Sequence, residues 1–78
     1  MVIPLTYLEQ DQSAAVVWLA SSPDMEKRLA DLGFEPDEII TCVIKGKKGG
    51  MSAYLVKHAV IALRPCDASG ILVRIQWY

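Results

Sequence analysis

The feature that most constrains this fold is the shortness of its apolar segments. Runs of four to six mostly apolar residues recur along the chain, and isolated glycines and prolines separate them. Runs of that length that are rich in Val, Ile and aromatic residues are typical of pleated strands. Only one segment has helical periodicity. The sequence therefore predicts mainly β structure with a single helix.

The helix is predicted at about residues 23–32. A hydroxyl residue precedes Pro23, which suits the first helical position, and acidic residues in the first turn face the positive end of the helix dipole. Gly33 supplies a left-handed C-terminal cap. One apolar stripe recurs at i, i+4 and i+7, formed by Met25, Leu29 and Leu32.

About five strands are predicted around this helix. They cover residues 13–20, 39–44, 53–56, 60–63 and 71–78. The run at 39–44 is almost continuously apolar, so both of its faces are expected to be covered, whereas residues 71–78 alternate with period two. A glycine-rich basic connection is expected at residues 45–50 and a loop at 65–70.

The length of 78 residues allows one small core, so residues 1–78 are expected to form a single domain. A short antiparallel sheet exposes its edges unless it closes. Five strands and one inserted helix fit a small, partly open barrel of the SH3-like or OB-like kind.

The charge pattern excludes one class of function and suggests another. The formal net charge is −1, which argues against a nucleic-acid-binding protein. Up to Glu38 the chain has eight acids and two bases, and beyond it one acid and six bases. Folding either separates these charges into opposed faces, which would orient a partner, or mixes them.

Hydrophobicity points to a protein contact and away from membrane insertion. Apolar residues make up 53% of the chain, more than so small a body readily buries, so an exposed apolar contact patch is expected. No run approaches the roughly 20 apolar residues needed to cross a bilayer, and the N-terminus lacks signal-peptide features. A cytoplasmic location is expected.

No catalytic, metal or cofactor site is predicted. Cys42 and Cys66 are far apart and are expected to be buried free thiols. His58 is the only histidine and is expected in a hairpin turn, without the neighbours of a metal site. No serine has a nucleophile-elbow context, and residues 46–50 lack the spacing of a phosphate loop.

Several segments together resemble the FeoA family. They are Leu5-Thr6, the signature from Arg28 to Pro36, the strand at 39–44, the residues Ile61 to Arg64, Asp67-Ala68, and the terminal Ile71 to Val73. Two positions depart from the family pattern. Pro36-Asp37 stands where Pro-Gly is usual, although Asp tolerates left-handed backbone, and residues 45–50 replace a Gly-Asp-Pro-like turn.

This resemblance implies an SH3-like barrel that acts as a non-enzymatic accessory protein in bacterial ferrous iron uptake. Its implied partner is the cytoplasmic GTPase region of the FeoB transporter, which would also place it peripherally at the inner membrane. The alternative is a generic SH3-like interaction module or a metal-sensing module, as at the C-termini of DtxR-like repressors. A monomer or weak homo-oligomer is expected.

The expected partner-binding residues are basic. They are Lys27 and Arg28 on the helix and Lys45, Lys47 and Lys48 in the connection that follows residues 39–44. Aromatic side chains offer a second hypothesis, a groove of the kind in which SH3 domains hold proline-rich peptides, although core packing is the default for strand aromatics. Its candidates are Trp18, Tyr54, Trp77 and Tyr78.

Overall fold

The structure, a computed structural model, describes residues 1–75, in which six strands form one antiparallel sheet. In chain order the elements are β1 (Val2–Pro4), a 3₁₀ turn (Leu5–Tyr7), β2 (Ser13–Leu19), α1 (Pro23–Leu32), β3 (Ile39–Ile44), β4 (Ser52–Val56), β5 (Ala59–Leu63), α2 (Pro65–Ala68) and β6 (Ile71–Ile75). The prediction of a mainly β fold with a short helix at residues 23–32 is confirmed.

The strand order in the sheet is β1-β6-β2-β3-β4-β5. Every neighbouring pair is antiparallel, and β-bulges interrupt the register at Val16/Trp18 in β2 and Cys42/Ile44 in β3. Bulges bend and twist strands, which curls a short sheet around its core. Within residues 1–75, β1 and β5 are the edge strands.

The sequence interpretation missed two elements. It predicted about five strands and no structure before residue 13, whereas Val2–Pro4 pairs with β6 as a sixth strand. It also predicted a loop at residues 65–70, where Pro65 instead begins the one-turn helix α2. The last three residues of the predicted final strand, 76–78, lie outside the described part of the chain.

The prediction that β3 is covered on both faces is wrong. Ile40 and Cys42 point into the core, whereas Ile39 and Ile44 at the two ends of the strand are exposed. The outer face of the sheet is open here because α1 packs only on the inner side, where Leu29 is buried.

The ends of α1 are closed by local interactions. The Ser22 hydroxyl accepts a hydrogen bond from the Met25 N–H at 3.4 Å. At the other end Gly33 has φ 109°, its N–H donates to the Ala30 carbonyl, and the Phe34 N–H donates to the Leu29 carbonyl. This Schellman arrangement turns the chain sharply and delivers the buried Phe34 ring into the core. Asp37 then has φ 71°, which is the left-handed backbone that glycine favours and Asp tolerates.

The core lies between the inner face of the sheet, α1 and α2. Its largest fully buried side chains are Tyr54, Phe34, Leu5, Leu8, Leu29, Ile40, Ile71, Val16, Val56, Val73 and Cys42. Burial raises the pKa of the Cys42 thiol and of the Tyr54 phenol, which face each other across β3 and β4.

We expect Gly33→Ala to destabilise the protein by at least about 1 kcal/mol more than Gly49→Ala. Both glycines have positive φ, but a Cβ at Gly33 would lie 2.9 Å from Val56 Cγ1, whereas a Cβ at Gly49 meets nothing within 4 Å. Urea unfolding of the two variants measures the difference. Equal losses would mean that α1 can shift away from β4 without cost.

We expect the free energy of unfolding to fall as the pH rises above about 9. The folded state binds the Cys42 and Tyr54 protons more tightly than the unfolded state, so the unfolded state ionises first and is stabilised relative to the folded state. Tyr54→Phe should flatten the decline, whereas Tyr7→Phe, which changes an exposed ring, should leave it unchanged. Urea unfolding at several pH values measures the slope, and a wild-type slope in Tyr54→Phe would contradict the assignment.

Candidate functional site

Two adjoining grooves lie on one face of the protein. The first, called here the loop groove, has a volume of about 190 Å³ and lies between residues 45–50 and α2. The second, called here the edge groove, has a volume of about 430 Å³ and lies between α1 and β5. Leu63 at the end of β5 lines both grooves, which makes them one continuous surface.

This surface concentrates the positive charge of the protein. The loop groove is lined by Lys45, Lys47 and Lys48, and the edge groove by Arg28, Arg64 and Asp67. Five of the eight basic side chains of the chain are therefore here, together with one of its nine acids. Because the net charge of the whole protein is −1, the rest of its surface is acidic. Eight of the nine acids line neither groove, so the two grooves are a basic surface on a protein that is slightly acidic as a whole.

Four of these five cations form no ion pair within residues 1–75. Arg64 Nε lies 3.6 Å from Asp67 Oδ2, but no carboxylate of the described chain is paired with Arg28, Lys45, Lys47 or Lys48. Away from the grooves, Lys57 is close to both Glu35 and Glu38. The grooves thus present unneutralised positive charge at their rims, which suits an anionic surface or segment.

The edge groove also exposes apolar side chains. Leu32 on α1 is 44% exposed and Met51, just before β4, is 53% exposed. Met25 and Ile61 are partly buried beside them and pack against the core. Apolar side chains ringed by cations are the composition of a contact site for another macromolecule rather than of a solvated surface.

Lys45 has a structural role at the rim of the loop groove. Its ammonium group donates to the Thr6 carbonyl and, at 2.9 Å, to the Leu8 carbonyl. Its backbone N–H donates to Gln10 Oε1 at 3.1 Å. The side chain therefore ties the end of β3 to the 3₁₀ turn, and two of the three ammonium donors are used in doing so.

The sequence hypothesis placed partner binding on five basic residues, and the structure brings four of them to this surface. Arg28, Lys45, Lys47 and Lys48 line the grooves, whereas the exposed Lys27 lines neither. The sequence interpretation missed Met51, Arg64 and Asp67. The apolar character of Met51, between Gly50 and Ser52, could have indicated it from the sequence. The proximity of Arg64 to α1 arises only in the tertiary fold.

The candidates for metal or redox chemistry are dispersed. His58 lies in the β4–β5 turn as predicted and is exposed. Cys42 is a buried free thiol, but the prediction that Cys66 is buried is wrong, because its position on the outer side of the short α2 leaves it exposed. Within residues 1–75 no three His, Cys, Asp or Glu side chains are grouped as metal ligands.

The hypothesis of an aromatic groove finds no support among the described residues. Tyr54 is buried in the core, although its edge reaches the loop groove. Trp18 is 63% exposed on β2 and lines neither groove. Trp77 and Tyr78 lie outside the described residues.

Within residues 1–75, no helix combines the length and the apolar character that crossing a membrane requires.

Comparison with solved structures identifies the architecture. The crystal structure of Stenotrophomonas maltophilia FeoA complexed with zinc, described as a procaryotic SH3 domain protein, is 31% identical and has a TM-score of 0.78; the match covers 94% of this chain and 88% of that one. The crystal structure of an iron uptake regulatory protein (FeoA) is 21% identical with a TM-score of 0.89, covering 97% and 100% of the two chains. The predicted SH3-like fold is confirmed.

A manganese-dependent transcriptional repressor shares the fold at 18% identity and a TM-score of 0.86, and the match covers 96% of this chain but 42% of that one. No curated protein sequence matches this chain significantly. A family model described as the FeoA domain matches residues 3–75. This match spans all but a few terminal residues, and the chain belongs to the FeoA domain family.

Proposed function

We propose that this protein is a non-enzymatic accessory protein of bacterial ferrous iron uptake that binds the cytoplasmic GTPase region of a FeoB-type transporter. Membership of the FeoA domain family supports the transport role. The proposal also places residues 1–78 in one domain in the cytoplasm, held peripherally at the inner membrane through the transporter.

The observation that carries the proposal is the concentration of charge around an apolar surface. Five of eight basic side chains line the two grooves, and Leu32 and Met51 are exposed between them. Apolar contact supplies affinity at such a surface, whereas the surrounding charge steers and orients the partner. The matching surface on the GTPase region is therefore acidic with an apolar centre.

This mode of action requires no catalytic residue and no bound cofactor. The protein contributes a rigid, charged surface, and regulation follows from which state of the GTPase region it binds more tightly. A protein that binds one nucleotide state of a GTPase more tightly than the other shifts the population toward that state. The ratio of its two affinities sets the size of the shift.

We expect the triple variant Arg28→Glu, Lys47→Glu, Lys48→Glu to bind the GTPase region at least about tenfold more weakly than wild type at low salt, since each exposed charge contributes up to about 1 kcal/mol. Lys27→Glu is the matched control, because Lys27 is exposed but lines neither groove. Isothermal titration calorimetry measures both affinities. Equal weakening by Lys27→Glu would place the interface on the outer face of α1 instead.

We expect Lys45→Met to lower the free energy of unfolding by about 1–2 kcal/mol, because it leaves the Thr6 and Leu8 carbonyls without their charged donor. Lys47→Met makes the same chemical change where no such bond exists and should leave stability within about 0.5 kcal/mol of wild type. Urea unfolding compares them, and equal stabilities would remove Lys45 from its structural role.

The alternative function, a metal-sensing module, makes a different prediction. Ferrous iron added anaerobically to the isotope-labelled protein should leave the amide resonances of His58 and Cys66 unshifted, while the GTPase region shifts residues that line the grooves. If iron shifts the resonances of His58 and Cys66 and the GTPase region shifts none, the transport proposal is overturned in favour of metal sensing.

A further inference from the structure

The edge strand β5 is unprotected in a way that the other edge is not. β1 is three residues long and ends in Pro4, which has no N–H to offer. β5 has five residues, Ala59–Leu63, with no proline and no charge among them. Within residues 1–75 no strand pairs with its outer side. Natural proteins usually shield such an edge unless another chain pairs with it.

The register of the hairpin identifies the free backbone groups. Val56 pairs with Ala59 across the two-residue turn, and the register continues through Leu55 with Val60 and Ala53 with Ala62. Residues that flank a two-residue turn form a hydrogen-bonded pair, and bonded and non-bonded pairs then alternate along the hairpin. The N–H and C=O groups of Val60 and Ala62 therefore point away from β4, toward the open side.

The edge groove lies along that open side. Residues of α1 form its far wall, and Ile61, Ala62 and Leu63 of β5 form its near wall. The Gly33 end of the helix lies against Val56 and Lys57, just before β5 begins, while Met25 near the other end shares the groove with Asp67 beyond β5. Helix and strand thus run antiparallel with a cleft of about 430 Å³ between them.

The walls of the cleft define what fits it. Leu32 and Met51 offer apolar surface, and Arg28 and Arg64 outnumber the single carboxylate of Asp67. An extended strand places alternate side chains on opposite sides, so it can direct apolar residues into the cleft and acidic ones toward the cations. The chemistry therefore selects an extended segment in which apolar and acidic residues alternate.

We propose that an extended segment of the partner, alternating in apolar and acidic residues, adds to β5 as a seventh strand by pairing with the backbone of Val60 and Ala62. The identification of that partner as the transporter's GTPase region rests on the function proposed above. A second copy of this chain is a poor occupant, since symmetric pairing of two β5 edges would bring both copies of Arg28 and Arg64 into one site.

The test uses the wild-type, isotope-labelled protein and two probes, the GTPase region and a blocked hexapeptide of alternating Val and Glu. With either probe in excess, we expect amide hydrogen exchange at Val60 and Ala62 to slow at least about tenfold, as strand pairing protects amides from solvent. A hexapeptide of alternating Val and Lys should give no protection.

Ala62→Pro removes one open-side N–H without removing a hairpin bond, and it should weaken binding of the GTPase region at least about tenfold, since pairing at the edge depends on that donor. Ala62→Val, which keeps the N–H, is the matched control and should bind like wild type. If proline at this position unfolds the chain, the exchange measurement on the wild-type protein decides the question without it.

The outcomes separate this inference from the proposed function. Binding of the GTPase region with full affinity by Ala62→Pro, or without protection at Val60 and Ala62, overturns strand addition and leaves the transport role intact. If the Val-Glu peptide protects Val60 and Ala62 but the GTPase region does not bind, β5 accepts a strand and the proposed partner is wrong. Protection that grows with protein concentration alone, or equal binding of the Val-Lys peptide, overturns the inference.

Discussion

The approach of Gly33 to β4 fixes where helix α1 lies, and the surface that carries the two grooves depends on that position. A Cβ at Gly33 would lie within 2.9 Å of Val56 Cγ1, so the helix end reaches β4 only because glycine occupies this place. The buried Leu29 and Phe34 then anchor the helix and the turn that follows it. With its C-terminal end held here, α1 runs beside β5 without covering it. The edge groove is the space that results.

Folding converts a charge pattern along the chain into a charge pattern in space. Acids dominate the chain up to Glu38 and bases dominate beyond it, but Arg28 from the acidic part joins Arg64 and the lysines of residues 45–50 on one surface. A basic surface of this kind can orient a small protein before contact, because its field acts over distances of about 8 Å in physiological salt. The apolar side chains between the cations are available for contact with a partner.

Local signals made much of the fold predictable. Ser22, Pro23 and Gly33 mark the ends of α1 within the chain itself, so the helix was predicted with its observed bounds, and the run at residues 39–44 likewise matched β3. β1 was not predicted, because its three residues form a strand only by pairing with residues about 70 positions away, such as Val2 with Arg74. The grooves were not predicted for the same reason. Arg28, Met51 and Arg64 lie in three separate segments of the chain, and only the tertiary fold brings them together.

Site-specific photo-cross-linking shows whether the two grooves contact the GTPase region of the FeoB-type transporter. A photoreactive side chain in place of Met51 lies in the edge groove, whereas one in place of Trp18 occupies an even more exposed position but lines neither groove. We expect a cross-link to the GTPase region from position 51 and none from position 18. A cross-link from position 18 alone, or none from either position, would contradict it.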